Sequence, residues 1–169
     1  MNLKDEAIII YVKNITDNNL FIKILSKDNG LINGMVYGGN SKKNKMIYQI
    51  GSFINFNLIR KNENSLSNLT GELIFPFISS IYNDKYKLFA ILTCCSLMNT
   101  SINENQIFKK IYLGLKELYS SFEKKHWFYD YSKWILIYLS ELGYGFDWKE
   151  IILRKFRDIG KVIIIKKMQ

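Results

Sequence analysis

Cysteine is almost missing from this 169-residue sequence: Cys94 and Cys95 are the only two, and they are adjacent in an apolar stretch. Neighbouring thiols cannot supply the spaced ligands of a zinc site or the framework of a disulfide-stapled domain, so two buried thiols and no metal are expected. The single histidine, His126, lies among Lys124, Lys125 and Trp127 with no Cys or His nearby. That setting fits a structural histidine better than a ligand or a general base. No apolar run reaches the roughly 18 residues that span a bilayer. The opening Met1-Asn2-Leu3-Lys4-Asp5-Glu6 also lacks the charged-then-apolar plan of a signal peptide. A cytoplasmic protein without a membrane partner is expected. Catalytic signatures are missing too: there is no phosphate loop, no dinucleotide GxGxxG after a strand, no HExxH and no serine in a nucleophile elbow. Glu63, Glu72 and Glu141 stand apart from any partner base, so the reading is of a non-enzyme with no catalytic residue.

Apolar residues are plentiful, with 48% hydrophobic and 15% aromatic, enough for a packed core and against global disorder. The formal charge of +9 points to a polyanionic partner, since a cationic surface gains affinity by releasing counterions from a phosphate backbone. Only three arginines (Arg60, Arg154, Arg157) and two alanines accompany the many Lys, Asn and Ile, a skew typical of A+T-rich coding that accounts for part of the lysine excess. The stretch from Trp148 to Gln169 holds seven basic and two acidic groups, a local +5.

The first half reads as strands. Ala7 to Val12 is a β-branched run, and Leu20 to Leu25 follows the turn-forming Thr16-Asp17-Asn18-Asn19. Asp28-Asn29-Gly30 tolerates the positive φ of a tight reversal before a third strand, Leu31 to Tyr37, in which Gly34 suggests a bulge. Asn40 to Lys45 has no apolar periodicity and predicts an exposed loop. Alternation resumes over 52–59, and a fifth strand is expected over 67–75. Five short strands in about 75 residues, with glycines at the bends, fit a partly open Greek-key barrel of the OB-fold type.

Pro76, the sole proline, marks the change from strand-like to helix-like patterning, and a domain boundary is placed there. Residues 84–98 carry Leu88, Ile91, Leu92 and Cys95 at helical spacing. A second helix is expected to begin at Asn103-Glu104, with Ile107, Ile111, Leu115 and Leu118 on one face. A third carries Trp127, Tyr131, Trp134, Ile135 and Tyr138 and stops at Gly143-Tyr144-Gly145. The expected plan is α+β: a five-stranded OB-fold barrel over 1–76, a small helical domain over 77–147 and a basic tail over 148–169.

The candidate nucleic-acid site is cationic. Lys42, Lys43 and Lys45 lie in one loop, and Arg60-Lys61 end another strand, so they could flank a groove for phosphates. A merely solvated loop is the plain alternative. Tyr37 and Tyr48 flank the basic loop and are the candidates for stacking on unpaired bases, although aromatics of this kind also fill cores. On the helical side Trp127, Tyr131 and Trp134 offer aromatic surface for a partner peptide, with core packing as the alternative use.

Taken in order, the aliphatic first strand, Leu20 to Leu25, Asn29-Gly30, Gly34 and the Gly-then-lysine loop resemble the bacterial RecO recombination-mediator family. The likeness continues through Tyr48-Gln49-Ile50-Gly51, Gly71-Glu72-Leu73 and the helix 131–142 leading into Gly143-Tyr144-Gly145-Phe146-Asp147. The resemblance implies binding of single- and double-stranded DNA, annealing of complementary strands, no nucleotide cofactor, and work with RecR, the C-terminal tail of single-stranded DNA-binding protein and, indirectly, RecA. It matches Lys42, Lys43 and Lys45 to the family's basic barrel loop, with Arg60 and Lys61 as additions. Family members run on for several tens of residues past the Gly-Tyr-Gly-Phe-Asp stretch, often through a cysteine, and Trp148 to Gln169 resembles none of that region; a shortened or frame-disrupted form is therefore expected. Two other readings stay open: a protein-binding adaptor that uses the aromatic helices, and an RNA-binding barrel.

Overall fold

The computed structural model describes residues 2–60, 67–75, 79, 81–104 and 106–145. Pro76, Lys61 and the basic tail 148–169 lie outside the described residues. Five strands, β1 (Asn2–Asn14), β2 (Leu20–Ser26), β3 (Gly30–Val36), β4 (Phe53–Ile59) and β5 (Asn68–Phe75), close into a barrel in the order β1-β2-β3-β5-β4. Among the described residues three helices follow: α1 (Lys85–Ser101), α2 (Lys109–Ser121) and α3 (Trp127–Glu141). The α+β class and the OB-fold barrel expected from the strand pattern are what the chain adopts.

Closure depends on β1, which is long enough to pair with two neighbours. Its first half lies antiparallel to β4, from Asn2 opposite Ile59 to Ile8 opposite Phe53, and its second half antiparallel to β2. A register shift between Ile9 and Tyr11 inserts one residue. As a bulge does, it turns Ile10 and Tyr11 to the same side, against the helices, while Ile9 and Val12 face the barrel interior. The four residues Ala7 to Ile10 are all at most 2% exposed, so this stretch has no solvent face to alternate with. Gly34, expected at a bulge, instead lies in an unbroken β2–β3 register opposite Ile22. Its role is close approach: a Cβ there would come within 2.8 Å of the Leu69 Cβ on the adjacent strand β5.

The helices pack on the outer face of β1 and β4. Ile8, Ile10, Leu25, Leu31 and Phe53 of the barrel share one apolar cluster with Ile91, Cys94, Cys95, Met98, Tyr112, Leu115 and Tyr119. Phe53 meets Tyr112 and Tyr119 edge-on, at ring distances of 5.7 and 5.0 Å. The Tyr119 hydroxyl donates to the Gly51 carbonyl at 2.5 Å. Both cysteines are buried, and burial pushes the Cys95 thiol up to about 12, so neither is a reactive thiolate. Two salt bridges cross the same interface, Lys116 to Glu6 at 2.9 Å and Lys109 to Asp28 at 2.7 Å.

Asp84 caps α1, its carboxylate accepting from the Tyr86 and Lys87 N–H groups. The inward stripe of α1 is rotated from the expected one: Ala90, Ile91, Cys94, Cys95 and Met98 are buried, whereas Leu92 is exposed. The second helix begins at Lys109 rather than at Asn103-Glu104, and Ile107 is exposed ahead of it. Tertiary pairing overrides the local pattern there. Glu104 bridges in parallel to Leu31, and its carboxylate accepts from the Asn33 amide, so the connector borders β3 where β5 pairs only through Met35 and Asn68. At the end of α3, Gly143 adopts φ +87, its N–H donates to the Ser140 carbonyl, and the Tyr144 N–H reaches back to Leu139. That is the glycine stop read from the sequence.

Two predictions follow from this packing. The Asp5 carboxyl is pushed up by burial, yet hydrogen bonds from the Ser26 hydroxyl, the Asp28 and Glu6 N–H groups and the Asn29 amide outweigh that and hold it below its ordinary 3.8. A carboxyl depressed in the folded state contributes stability above its unfolded pKa and loses it as pH falls through the folded value. Asp5→Asn is therefore expected to be destabilised at pH 7, and its urea midpoint should fall less than that of the parent on acidification from about pH 5 to pH 3. Gly34→Ala should cost about 1–3 kcal/mol in urea unfolding, because Leu69 cannot retreat within the packed barrel.

Candidate nucleic-acid interface

The barrel has two chemically different ends. At the end that carries the β2–β3 turn, Asp5, Glu6 and Asp28 are engaged: Asp5 by the turn itself, Glu6 by Lys116 and the Tyr112 hydroxyl, and Asp28 by Lys109. The Lys116 ammonium holds Glu6 below the usual carboxylate range against the upward push of burial. The helical layer thus neutralises Glu6 and Asp28, two of the three acids at this end.

The opposite end is built from the β1–β2 hairpin, the ends of β3 and β4, the start of β5 and the segment between β3 and β4. That segment is not a loose loop. Its turns are closed by Asn44 N–H to Ser41 O at 3.0 Å, Lys45 N–H to Ser41 O at 2.9 Å and Ile47 N–H to Asn44 O at 2.9 Å. It is tied to the hairpin tip by Gly38 N–H to the Asn19 side chain, Asn40 N–H to Asn18 O and the Asn40 amide to Asp17 O. The Asn44 amide also donates to Gly38 O at 3.0 Å. The asparagine-rich composition that reads as a turn in sequence is therefore the hydrogen-bonding material that orders it.

On this frame Lys42, Lys43 and Lys45 are exposed, and none has a carboxylate within ion-pair distance among the described residues. The ion pairs formed between described residues draw their cations from the helical half: Lys87, Lys109, Lys110, Lys116 and Lys133. Tyr37, 61% exposed, follows β3 into this end. Arg60 joins it from the end of β4: its Nε donates to Ser67 Oγ at 3.1 Å, and the Ser67 carbonyl accepts from Met35 N–H. Asp17, at the hairpin tip, is a counter-charge at the same end. Lys61 lies outside the described residues.

Two of the aromatic candidates, Tyr48 and Trp134, are buried in the structure. Tyr48 is no stacking platform: it is only 7% exposed, packs in the barrel core, and its hydroxyl accepts from Gly71 N–H at 2.9 Å. Burial raises its phenol accordingly. Trp134 is not partner surface either, being 1% exposed, stacked on Tyr138 at 5.1 Å and donating from Nε1 to the Ile111 carbonyl. Trp127 and Tyr131 are half-buried against the helical core, with Phe128 and Tyr129 presenting more of their rings than either. Other residues were passed over in sequence. Pairing sets Tyr11 opposite Lys23, and Lys13 opposite Phe21, on the outer face of β1 and β2, with the Lys23 ammonium 5.8 Å from the Tyr11 ring centre. Only strand register and the bulge, which a single sequence does not display, put them together.

A test separates core from surface at the two tyrosines. Tyr48→Phe leaves the Gly71 N–H unpaired inside the barrel and should lose about 1–3 kcal/mol in urea unfolding. Tyr37→Phe should stay within about 0.5 kcal/mol of the parent.

Comparison with known proteins agrees with this architecture. Residues 1–77 match the family described as recombination protein O N terminal. Over 147 residues, 87% of the chain, it is 32% identical to DNA repair protein RecO of Rickettsia peacockii, 29% to that of Rickettsia canadensis and 30% to that of Rickettsia bellii. The matched part is 62%, 61% and 61% of those proteins respectively, so the chain spans about three-fifths of the length of these curated relatives. Through its N-terminal domain, and through relatives whose similarity extends over its helices, the chain is similar to the RecO family.

Proposed function

We propose that this chain is a non-enzymatic DNA-binding recombination mediator, which anneals complementary single strands and assists RecA loading in DNA repair and homologous recombination. The observation that carries the reading is the gathering of Lys42, Lys43 and Lys45, without carboxylate partners among the described residues, with Arg60 and Tyr37 at one ordered end of the barrel. Cations carried on a hydrogen-bonded frame can follow a phosphate backbone without the cost of ordering the loop backbone, and an exposed aromatic ring beside them can stack on a base. Annealing needs no bond chemistry from the protein, only charge neutralisation that lets two polyanions approach. The RecO relatives are named as DNA repair proteins, and this supports carrying the role over. RecR and the acidic tail of single-stranded DNA-binding protein are the proposed partners, with RecA as an indirect one.

Binding of a labelled single-stranded oligonucleotide across a salt series tests the proposal. Replacing Lys42, Lys43 and Lys45 together with glutamine should weaken binding and reduce the slope of log affinity against log salt by about 2, from roughly 0.7 per lost phosphate contact on a single strand. Unchanged affinity and slope in the triple variant would refute it.

A further inference from the structure

Beside Lys45, at the mouth of the barrel, is a recess of about 230 Å³. Its apolar floor is formed by Val12 and by the small exposed parts of Leu20 and Tyr48, whose ring is otherwise buried in the barrel with its hydroxyl committed to Gly71. Its rim is made of amides: Asn14 from the end of β1, and Asn40 and Gln49 from the segment between β3 and β4. The Asn40 amide nitrogen is held by the Asp17 carbonyl, which leaves its oxygen to accept. Sites for drug-sized ligands run from about 300 to 1,000 Å³, so this one has room for a single ring system, not a whole nucleotide.

We propose that the recess takes one unpaired nucleobase of a bound DNA strand, deepening the DNA-binding reading on which it rests. A base has two apolar faces and an edge of donors and acceptors. The floor matches a face, and side-chain amides, carrying both donors and acceptors, match an edge of any of the four bases. The sugar and phosphate stay outside, where Lys45 meets the charge. A base in a duplex has its faces stacked and its edge paired, so it can enter only after extrusion, at an unstacking cost. The loop lysines bind phosphate in either form, since phosphate contacts carry no such discrimination. The recess therefore makes this end of the barrel selective for unpaired strands.

The test uses the full chain and three probes of equal length at one salt concentration: a mixed-sequence single strand, the same strand with abasic sugars at alternate positions, and the duplex. The parent should bind the intact strand about 5- to 10-fold more tightly than the abasic one, within the range that burial of one base supplies. Asn14→Ala/Gln49→Ala, on exposed positions, should bring the two strands to within about 2-fold of each other. Asn14→Trp, which fills the mouth, should do the same. Equal affinity of the parent for intact and abasic strands would overturn the recess while leaving the lysine site standing, as would undiminished discrimination in both variants. Failure to bind any of the three probes would remove the DNA-binding reading and the recess together.

Discussion

The structure depends on burying both faces of one strand. Ala7 and Ile9 fill the barrel, Ile8 and Ile10 fill the seam with the helices, and the inserted residue at Ile10 keeps Tyr11 on the helical side. Neither layer is complete without the other, because the outer face of β1 and β4 is apolar where α1 and α2 lie and would otherwise be open to water. The seam is then specified by polar contacts at its margins: Tyr119 to Gly51, Tyr112 to Glu6, and the Glu6–Lys116 and Asp28–Lys109 pairs. The pairs are partly exposed, so they set registry more than they add stability.

That packing also distributes charge. Docking α2 on the barrel places Lys109 and Lys116 against Asp28 and Glu6, which consumes acids at one end and leaves the loop cations at the other without partners among the described residues. The net charge of the sequence does not express this separation. A chain with the same composition but its carboxylates beside Lys42 and Lys43 would carry the same +9 and have little use for a polyanion. The ordering of the 38–48 segment by asparagine side chains belongs to the same design, since it holds the cations and the amide-rimmed recess in one frame.

Much of the fold was legible in the sequence. The β-branched runs, the Asn-Gly turn and the glycine stop at Gly143 are local signals, each arising from residues within a few positions of one another. The elements they delimit form as expected, and the loop lysines, as exposed charges in an aperiodic segment, were legible as well. The expectations that failed are those in which a distant segment decides the outcome. Glu104 pairs with a strand edge more than seventy residues away, so the connector stays out of the helix its pattern suggests. Gly34 serves close approach to Leu69 rather than a bulge, and the bulge lies instead at Ile10, in a β-branched run that shows no sign of it.

By itself the sequence determined the element types, the OB-type strand plan, the family resemblance and the cationic character of one loop, because those follow from periodicity, turn chemistry and charge. Which rings face water was decided only in three dimensions. Tyr37 and Tyr48 flank the same loop and look equivalent in sequence, yet one is exposed and the other has its hydroxyl bonded to Gly71 inside the barrel. Trp134 has the same helical spacing as its neighbours and is sealed by Tyr138 and the Ile111 carbonyl. Burial is a property of what packs opposite, and for these residues the opposing groups come from other elements of the chain, beyond the reach of any local pattern.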